Sequence, residues 1–305
     1  VRRYPQGGAA SQTASRPGTS HDSPQSDRRD APPDDATGTT RPPRLTARAD
    51  HDELSRLPVS EPSGVAFHPL RNSLMVVSDG GDLFELDMDF NVRQRIKLRG
   101  DLEGVGVHPT EGTVYVASES AATIYEYELQ ERRVLRAFRV DMFSHADFPV
   151  GGVRNKGIEG VAVAQVAAND FRLIAVVEGE PARLVHLSSD VSPRAVRSAR
   201  DWARANPMEE PERVSATITQ SHDLGLKRLS DVTFCPDSQV VIVISANDKV
   251  ALSCDLDGHI RSTVRIPGHK PEGLCLLPDG DALVVHDTGG VYRSNTLLRD
   301  LKASQ

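Results

Sequence analysis

The sequence predicts an all-β fold: a five-bladed β-propeller with four-stranded antiparallel blades, one short inserted helix and a disordered N-terminal tail. Three observations lead there. The first is a phrase that recurs before the same strand pattern: Glu61-Pro-Ser63-Gly64-Val65, Asp101-Leu-Glu103-Gly104-Val105, Lys156-Gly-Ile-Glu159-Gly160-Val161, Arg228-Leu-Ser230-Asp231-Val232 and Lys270-Pro-Glu272-Gly273-Leu274. The second is its spacing, since Gly64 to Gly104 and Ser230 to Glu272 are each one near-identical step along the chain. A period of roughly 40 built from short strands marks a propeller blade, because one small sheet cannot bury its faces until neighbours stack on it. The third is the strand content of each unit, short alternating runs broken by turn residues.

The second unit shows the design. Glu103 to His108 alternates, Thr113 to Ser118 carries Val114 and Val116, Thr123 to Leu129 carries Tyr125 and Tyr127, and Val134 to Val140 closes the meander. β-branched and aromatic residues suit a pleated, half-buried surface. The first unit repeats it with Gly64–His68, Leu74–Ser78, Asp82–Leu86 and Val92–Leu98. The fourth has Val232–Cys235, Val240–Ser245, Val250–Cys254 and His259–Ile266, with Asp257-Gly258 as a tight hairpin turn. The fifth has Gly273–Leu277, Ala282–His286 and Val291–Ser294, then runs short of a fourth strand. An open edge must be paired, so the segment from about Leu45 to Leu57 is expected to supply that strand.

The stretch from residue 61 to residue 295, divided among five units, gives each one close to the usual blade length. Two intervals, Glu103 to Glu159 and Glu159 to Ser230, are longer than the others. The second of them reads as holding an inserted helix: Ser192 caps it, Pro193 fits its first turn, Ala195, Ala199, Trp202 and Ala203 form an apolar stripe, and Asn206-Pro207 stops it. Val214 to Thr219 reads as one extra strand without partners for a sheet of its own.

Composition divides the chain into a tail, residues 1–48, and a propeller domain, residues 49–305. The tail is rich in proline and arginine, with Tyr4 as its one aromatic residue. It cannot bury enough apolar surface to offset the entropy of ordering, so a disordered tether is expected. The chain's net charge is −7 and the tail is basic, so the body is strongly acidic, which disfavours nucleic acid and suits cations. No run approaches the roughly 18–20 apolar residues of a membrane span, and no signal peptide is read. A start at Val1 with a low-complexity stretch after it suggests an anchor upstream and a protein held at a membrane surface. A monomer is expected. Cys235, Cys254 and Cys275 are an odd set without paired spacing, each in an apolar strand, and read as buried free thiols.

The repeat also points to a site. First strands line the channel of a propeller, so equivalent residues at their starts ring one mouth. Glu103, Glu159 and Glu272 converge there in this reading, with Ser63, Ser230 and Asp231 beside them. Two carboxylates about 5 Å apart repel by roughly 3 kcal/mol at an effective dielectric near 20. A hard divalent cation relieves this, and Ca2+ tolerates an irregular mix of oxygen donors. Zinc fits poorly at this position because no Cys or His recurs there. The second acidic set, Asp79, Glu119, Glu178 and Asp287, reads as polar turn residues at second-strand ends. His68 and His108 precede Pro69 and Pro109 and read as turn residues as well. No Gly-x-Ser-x-Gly, phosphate-cradling loop or His-Glu-x-x-His occurs.

Asp101-Leu-Glu-Gly104, Asn155-Lys-Gly-Ile-Glu-Gly160, Leu229-Ser-Asp231 and Pro271-Glu-Gly273, with Val77-Ser-Asp79, Ala117-Ser-Glu119 and Val177-Glu178, resemble the blade openings of the SdiA-regulated, YjiK-like family of bacterial proteins. The resemblance spans about residues 58 to 295. It implies a five-bladed propeller distantly related to NHL-repeat proteins, with calcium at a shared site and an association with the cell envelope. The chain departs from that pattern at Ser63, Ser230 and His286-Asp287.

Two functional classes follow. One is a non-catalytic calcium-binding propeller that holds a small molecule, glycan or protein at one face. The other is a calcium-dependent hydrolase, lactonase- or phosphoesterase-like, with the metal polarising an oxygen at the central channel. An enzyme needs a general base beside the ion, for which His145, in the Asp141–Arg154 insertion, and His286 are the candidates.

Overall fold

The computed structural model describes residues 47–48, 52–98, 100–142, 145–148, 157–168, 170–179, 182–188 and 210–302. The expected tail at 1–48 falls almost wholly outside these residues, as does the expected helix at 192–206. Strands joined by short turns, with one short helix, make up the described chain. Its units start with β3 (Pro62–His68), β4 (Ser73–Ser78), β5 (Asp82–Leu86) and β6 (Val92–Lys97), which pair in that order as an antiparallel sheet. Next come β7 (Leu102–Val107), β8 (Val114–Ser118), β9 (Thr123–Glu128) and β10 (Arg133–Asp141), then β11 (Ile158–Ala167), β12 (Asp170–Val177), β13 (Arg183–Leu187) and β14 (Glu212–Asp223). The fourth unit is β15 (Leu229–Cys235), β16 (Val240–Ser245), β17 (Val250–Cys254) and β18 (Ile260–Arg265). The last holds β19 (Pro271–Leu276), β20 (Ala282–His286) and β21 (Gly290–Ser294).

That last sheet is completed from the other end of the chain. β2 (Asp52–Arg56) pairs antiparallel with β21, with Arg56 opposite Gly290, so the expected closing strand lies where the missing partner required it. β1 (Ala47–Arg48) adds a short parallel pairing to β18.

Two features depart from a plain series of meanders. β14 is the outer partner of β13 and also runs parallel to β10, with Phe138 opposite Val214, so β7–β14 form one eight-stranded sheet. The expectation that Val214–Thr219 lacks partners is therefore corrected. Its first half, Glu212 to Thr217, pairs with β10 and its second half, Ile218 to Asp223, with β13, which local periodicity cannot reveal because β10 belongs to an earlier unit, far upstream in the chain. A short helix, α1 (Leu297–Lys302), was not expected from the sequence. It packs Leu297 and Leu301 onto the fourth and fifth units, and Ser253 donates a 2.8 Å hydrogen bond to the Leu301 carbonyl.

The core is distributed between units rather than within one. One cluster holds Val77 and Leu83 of the first unit against Val105 and Val116 of the second. Others join Phe138 to Val161, Leu184 to Leu252, and Ile244 to Val284. A further cluster packs Val285 and Val291 against Leu74 and Leu86, so the last unit meets the first. Central strands such as β4 and β16 are buried along their whole length, which explains their near-continuous Val and Ile. All three cysteines are buried and free, as expected. Among the described residues no helix is long and apolar enough to cross a membrane.

Candidate metal centre at one mouth of the ring

Each first strand opens with the same irregularity. The register of β3, β7, β11, β15 and β19 against its neighbour slips between Pro62 and Gly64, Leu102 and Gly104, Ile158 and Gly160, Leu229 and Asp231, and Pro271 and Gly273. The skipped residues are Ser63, Glu103, Glu159, Ser230 and Glu272. A bulge leaves its extra residue unpaired and re-aims it, so the recurrent phrase encodes a way of turning one side chain per unit off the ladder.

The residue after each bulge faces its counterpart in the next unit. A Cβ on Gly64 would come within 3.0 Å of Gly104 Cα, one on Gly104 within 2.5 Å of Gly160 Cα, and one on Gly160 within 2.7 Å of Asp231 Cα. One on Gly273 would come within 3.0 Å of the Gly64 carbonyl carbon, so the approaches run around to the start. Glycine is needed there because backbone meets backbone.

The glutamates converge as the repeat predicted. Glu103, Glu159 and Glu272 line one cavity of about 510 Å3, although they come from the second, third and fifth units of the chain. The cavity also takes in Asp79, Glu119, Glu178 and Asp287. The second acidic set therefore belongs to the site, and its reading as mere turn residues is corrected. A backbone clasp brings it there. The amides of Asp79, Glu119, Glu178 and Asp287 donate to the carbonyls of Glu61, Asp101, Gly157 and Lys270, at 3.1–3.3 Å, each in the residue two before the bulge. The fourth unit keeps the clasp, Ala246 to Arg228 at 3.2 Å, without the acid. Glu61, Arg228 and Lys270 adopt left-handed backbone with φ of 49°, 48° and 48°, strain that the clasp and the adjoining strands must hold.

The charges are unevenly spread. Glu119, Glu159 and Glu178 each place a carboxylate oxygen within 4.8 Å of the others, and so do Asp101, Glu103 and Glu119. Arg228 and Lys270 supply the cationic part of the wall, Arg228 Nε lying 3.5 Å from Glu178 and Lys270 Nζ 3.2 Å from Asp287. Burial, then the neighbouring Asp79, Asp101, Glu119 and Glu272 carboxylates, pushes Glu103 up to about 9. Burial, then Glu103, Glu119 and Glu178, pushes Glu159 to about 10, against a lowering effect of Arg228. Glu272 rises to about 7, chiefly by burial, with Arg228 and Lys270 opposing. Glu159 is only 8% exposed, and its Oε1 has no hydrogen-bond partner among the described residues.

Asp231, expected beside these glutamates, is placed elsewhere. It occupies the position that glycine holds in the other units, is 1% exposed and does not line the cavity. Its Oδ1 accepts from the Val232 amide at 2.8 Å and its Oδ2 from the Leu274 amide at 2.8 Å, so it ties the fourth unit to the fifth. Burial drives its carboxyl well above the ordinary range. The bulge serines do similar work: Ser63 donates to the Leu102 carbonyl at 2.5 Å and Ser230 to the Pro271 carbonyl at 2.8 Å. The sequence reading missed this because it took the acid one residue past the bulge as equivalent to the acid on it.

The histidines do not reach the cavity. His286 is 1% exposed, with Nδ1 2.9 Å from the His269 carbonyl, and His145 sits in its loop 3.9 Å from Asp147. Neither lines the site. His68 and His108 are buried where the β3–β4 and β7–β8 turns begin, His68 Nε2 lying 3.0 Å from the Gly112 carbonyl. At the other ends of the first strands lies a second cavity of about 380 Å3, walled by apolar residues such as Phe67, Val107, Val163, Phe234 and Leu276. One mouth is acidic and the other is apolar.

Residues 44–285 match the model of the SdiA-regulated family. The chain belongs to that family. Among curated proteins none matches it in sequence. Solved structures show the fold. The glutaminyl cyclase of Myxococcus xanthus is 10% identical, with 81% of this chain and 96% of that one covered and a TM-score of 0.52. The β-propeller domain of Cps50 (Swd1) from Myceliophteria thermophila is 13% identical, with a TM-score of 0.41. That alignment covers 78% of this chain and 65% of the other. The chain's own sheets, antiparallel apart from the β10–β14 and β1–β18 pairings and packed unit on unit with the last against the first, are those of an all-β propeller.

Proposed function

We propose that this SdiA-regulated protein is a five-bladed propeller, its eight-stranded sheet counting as two blades, that binds calcium at the acidic mouth and acts there as a non-catalytic binding module. The observation that carries the reading is Glu159: a carboxylate 8% exposed, with an orphaned Oε1, set within 4.8 Å of oxygens from Glu119 and Glu178. A buried polar atom without a partner costs about 1–3 kcal/mol, more when charged, and a bound cation would satisfy it. The donors are all oxygen, which suits calcium's preference for six to eight such ligands. Glu119, Glu159 and Glu178 would hold the ion, with Glu103 and Asp101 on the flank that shares Glu119.

When bound, calcium would supply a positive centre that draws in oxygen donors from a ligand. Arg228 and Lys270 stand in the same wall and favour a ligand carrying a carboxylate or similar anionic oxygen. Such a group occurs in glycans, in small acids and on protein surfaces. We place the module at the bacterial envelope, as the family resemblance implies. The hydrolase reading would need a base beside the ion, and neither histidine offered for that role lines the cavity. The glutaminyl cyclase likeness supports the fold alone. Calorimetric titration of calcium into chelator-treated protein tests the proposal: one saturable site, much weakened in Glu159→Gln, supports it, and no heat beyond dilution overturns it.

A further inference from the structure

The apolar mouth is built in layers by the same repeat that builds the acidic one. Three residues beyond the glycine position of each first strand (Asp231 in the fourth) stand Phe67, Val107, Val163, Phe234 and Leu276, and all five line the cavity of about 380 Å3. Each of them belongs to, or packs against, a different one of the five core clusters. The cores therefore stop short of the axis, and Phe67, Val107, Phe234 and Leu276 stay only partly buried. Two residues further on, Pro69, Pro109, Pro236 and Pro278 form a rim, with Gln165 in the third unit where the others have proline. A space of this size, walled by apolar side chains with a few polar groups, is the ordinary form of a small-molecule site.

The oxygen-bearing side chains of this mouth are all on one side. Beside Gln165 the cavity takes in Thr233, where the other units have Ala66, Gly106, Ala162 and Cys275, and Asp237, just past the rim proline of the fourth unit. All three belong to the third and fourth units, whose turns are joined by Gln239, its Nε2 donating to the Gln165 backbone carbonyl at 3.1 Å. The Gln165 side-chain nitrogen donates to the Ala168 carbonyl at 3.3 Å, which leaves its Oε1 as an acceptor. Among the described residues Asp237 is the one acid or base in the lining, and it is paired with no cation. Its counterpart in the fifth unit, Asp279, is paired with Arg293 and lies outside the lining.

We propose that the apolar mouth is a second binding site, for a compact apolar molecule ending in a protonated amine, with its body in the channel and its ammonium toward Asp237, Thr233 and Gln165. An ammonium group has donors and no acceptor, and this side of the mouth offers oxygen acceptors and a carboxylate with no competing cation. The Phe67 and Phe234 rings in the same wall also favour a positive charge over a negative one. A ligand ending in a carboxylate or phosphate finds no Lys, Arg or His among the described residues of the lining. The two mouths thus select opposite charges, since Arg228 and Lys270 stand in the wall of the acidic one.

The test is titration of the full chain, in excess calcium to occupy the acidic mouth, with phenylpropylammonium, phenylpropanol and phenylpropanoate, followed by ligand-observed NMR. The ammonium probe should bind saturably and at least about threefold tighter than the alcohol, the scale of one exposed ion pair, with the carboxylate weakest. Asp237→Asn should remove that preference and leave the affinity of the alcohol unchanged. Val107→Trp, which fills the cavity, should abolish binding of both. Should Val107→Trp fail to fold, Asp237→Asn decides, because that side chain is exposed. A preference for the ammonium that survives Asp237→Asn overturns the site, and so does equal affinity for the three probes or no saturable binding in wild type.

Discussion

Glu159→Gln keeps the size of the side chain and removes its capacity to ionise. In chelator near pH 7 the wild-type group is already neutral, since burial and three neighbouring acids raise it to about 10. The variant should therefore melt close to wild type without metal. With calcium the two should part. Calcium binds the folded ring and not the unfolded chain, so wild type gains RT ln(1 + [L]/Kd), about 2.7 kcal/mol at a hundredfold excess over Kd. For a body of this size that is roughly 5–10 °C in Tm. If losing one of three converging carboxylates weakens binding about a hundredfold, the same calcium yields only about 0.4 kcal/mol in the variant. The assay is four melting curves, wild type and variant with calcium and with chelator. A calcium shift of equal size in both proteins would return Glu159 to an ordinary structural role.

The remaining predictions use other parts of the same geometry. Calcium must displace protons from Glu159 and Glu103, held near 10 and 9, so binding at pH 7 should release about two protons and tighten as pH rises toward 9, read from calorimetry in buffers of different ionisation heat. Glu159→Gln should release about one fewer. Without metal the sign is opposite for stability: the unfolded carboxyls ionise near 4.5 while the folded ones stay protonated, so their contribution is greatest below that pH and is lost as pH climbs to about 9–10, which melting in chelator across that range checks. Asp231→Ala should cost about 1–3 kcal/mol by orphaning the Leu274 amide, yet leave calcium affinity unchanged; a large loss of affinity would mean that Asp231 serves the metal after all. Gly104→Ala would drive a Cβ to 2.5 Å from Gly160 Cα, a backbone atom of the neighbouring unit, and should cost about 1–3 kcal/mol or more in denaturant unfolding. Removing residues 1–46 should leave Tm unchanged, whereas cutting through Arg56 strips the partner of β21 and should lower it sharply.

Much of the fold was legible because its signals are local. The short continuous apolar runs of β4, β8, β16 and β20, the Asp257-Gly258 turn and the blade-length period depend on short stretches of chain. Even the closing strand followed, from one missing partner in the last unit. The repeat also named Glu103, Glu159 and Glu272 as equivalent, and equivalence in a closed ring means convergence. What periodicity could not carry was pairing between distant segments: β14 reads as a lone strand until β10 is known to lie beside it.

The rest was decided by geometry finer than the repeat. Glu103 and Asp231 differ by one step around a bulge, and that step separates a side chain facing the cavity from one clamped between two amides. Asp79, Glu119, Glu178 and Asp287 enter the site through backbone clasps across each unit, which no spacing along the chain announces. Sequence determined which residues recur and where strands run, because those are properties of neighbours along the chain. Tertiary structure alone decided which recurring acids share a volume, because burial and charge repulsion depend on distances that exist only once the ring has closed.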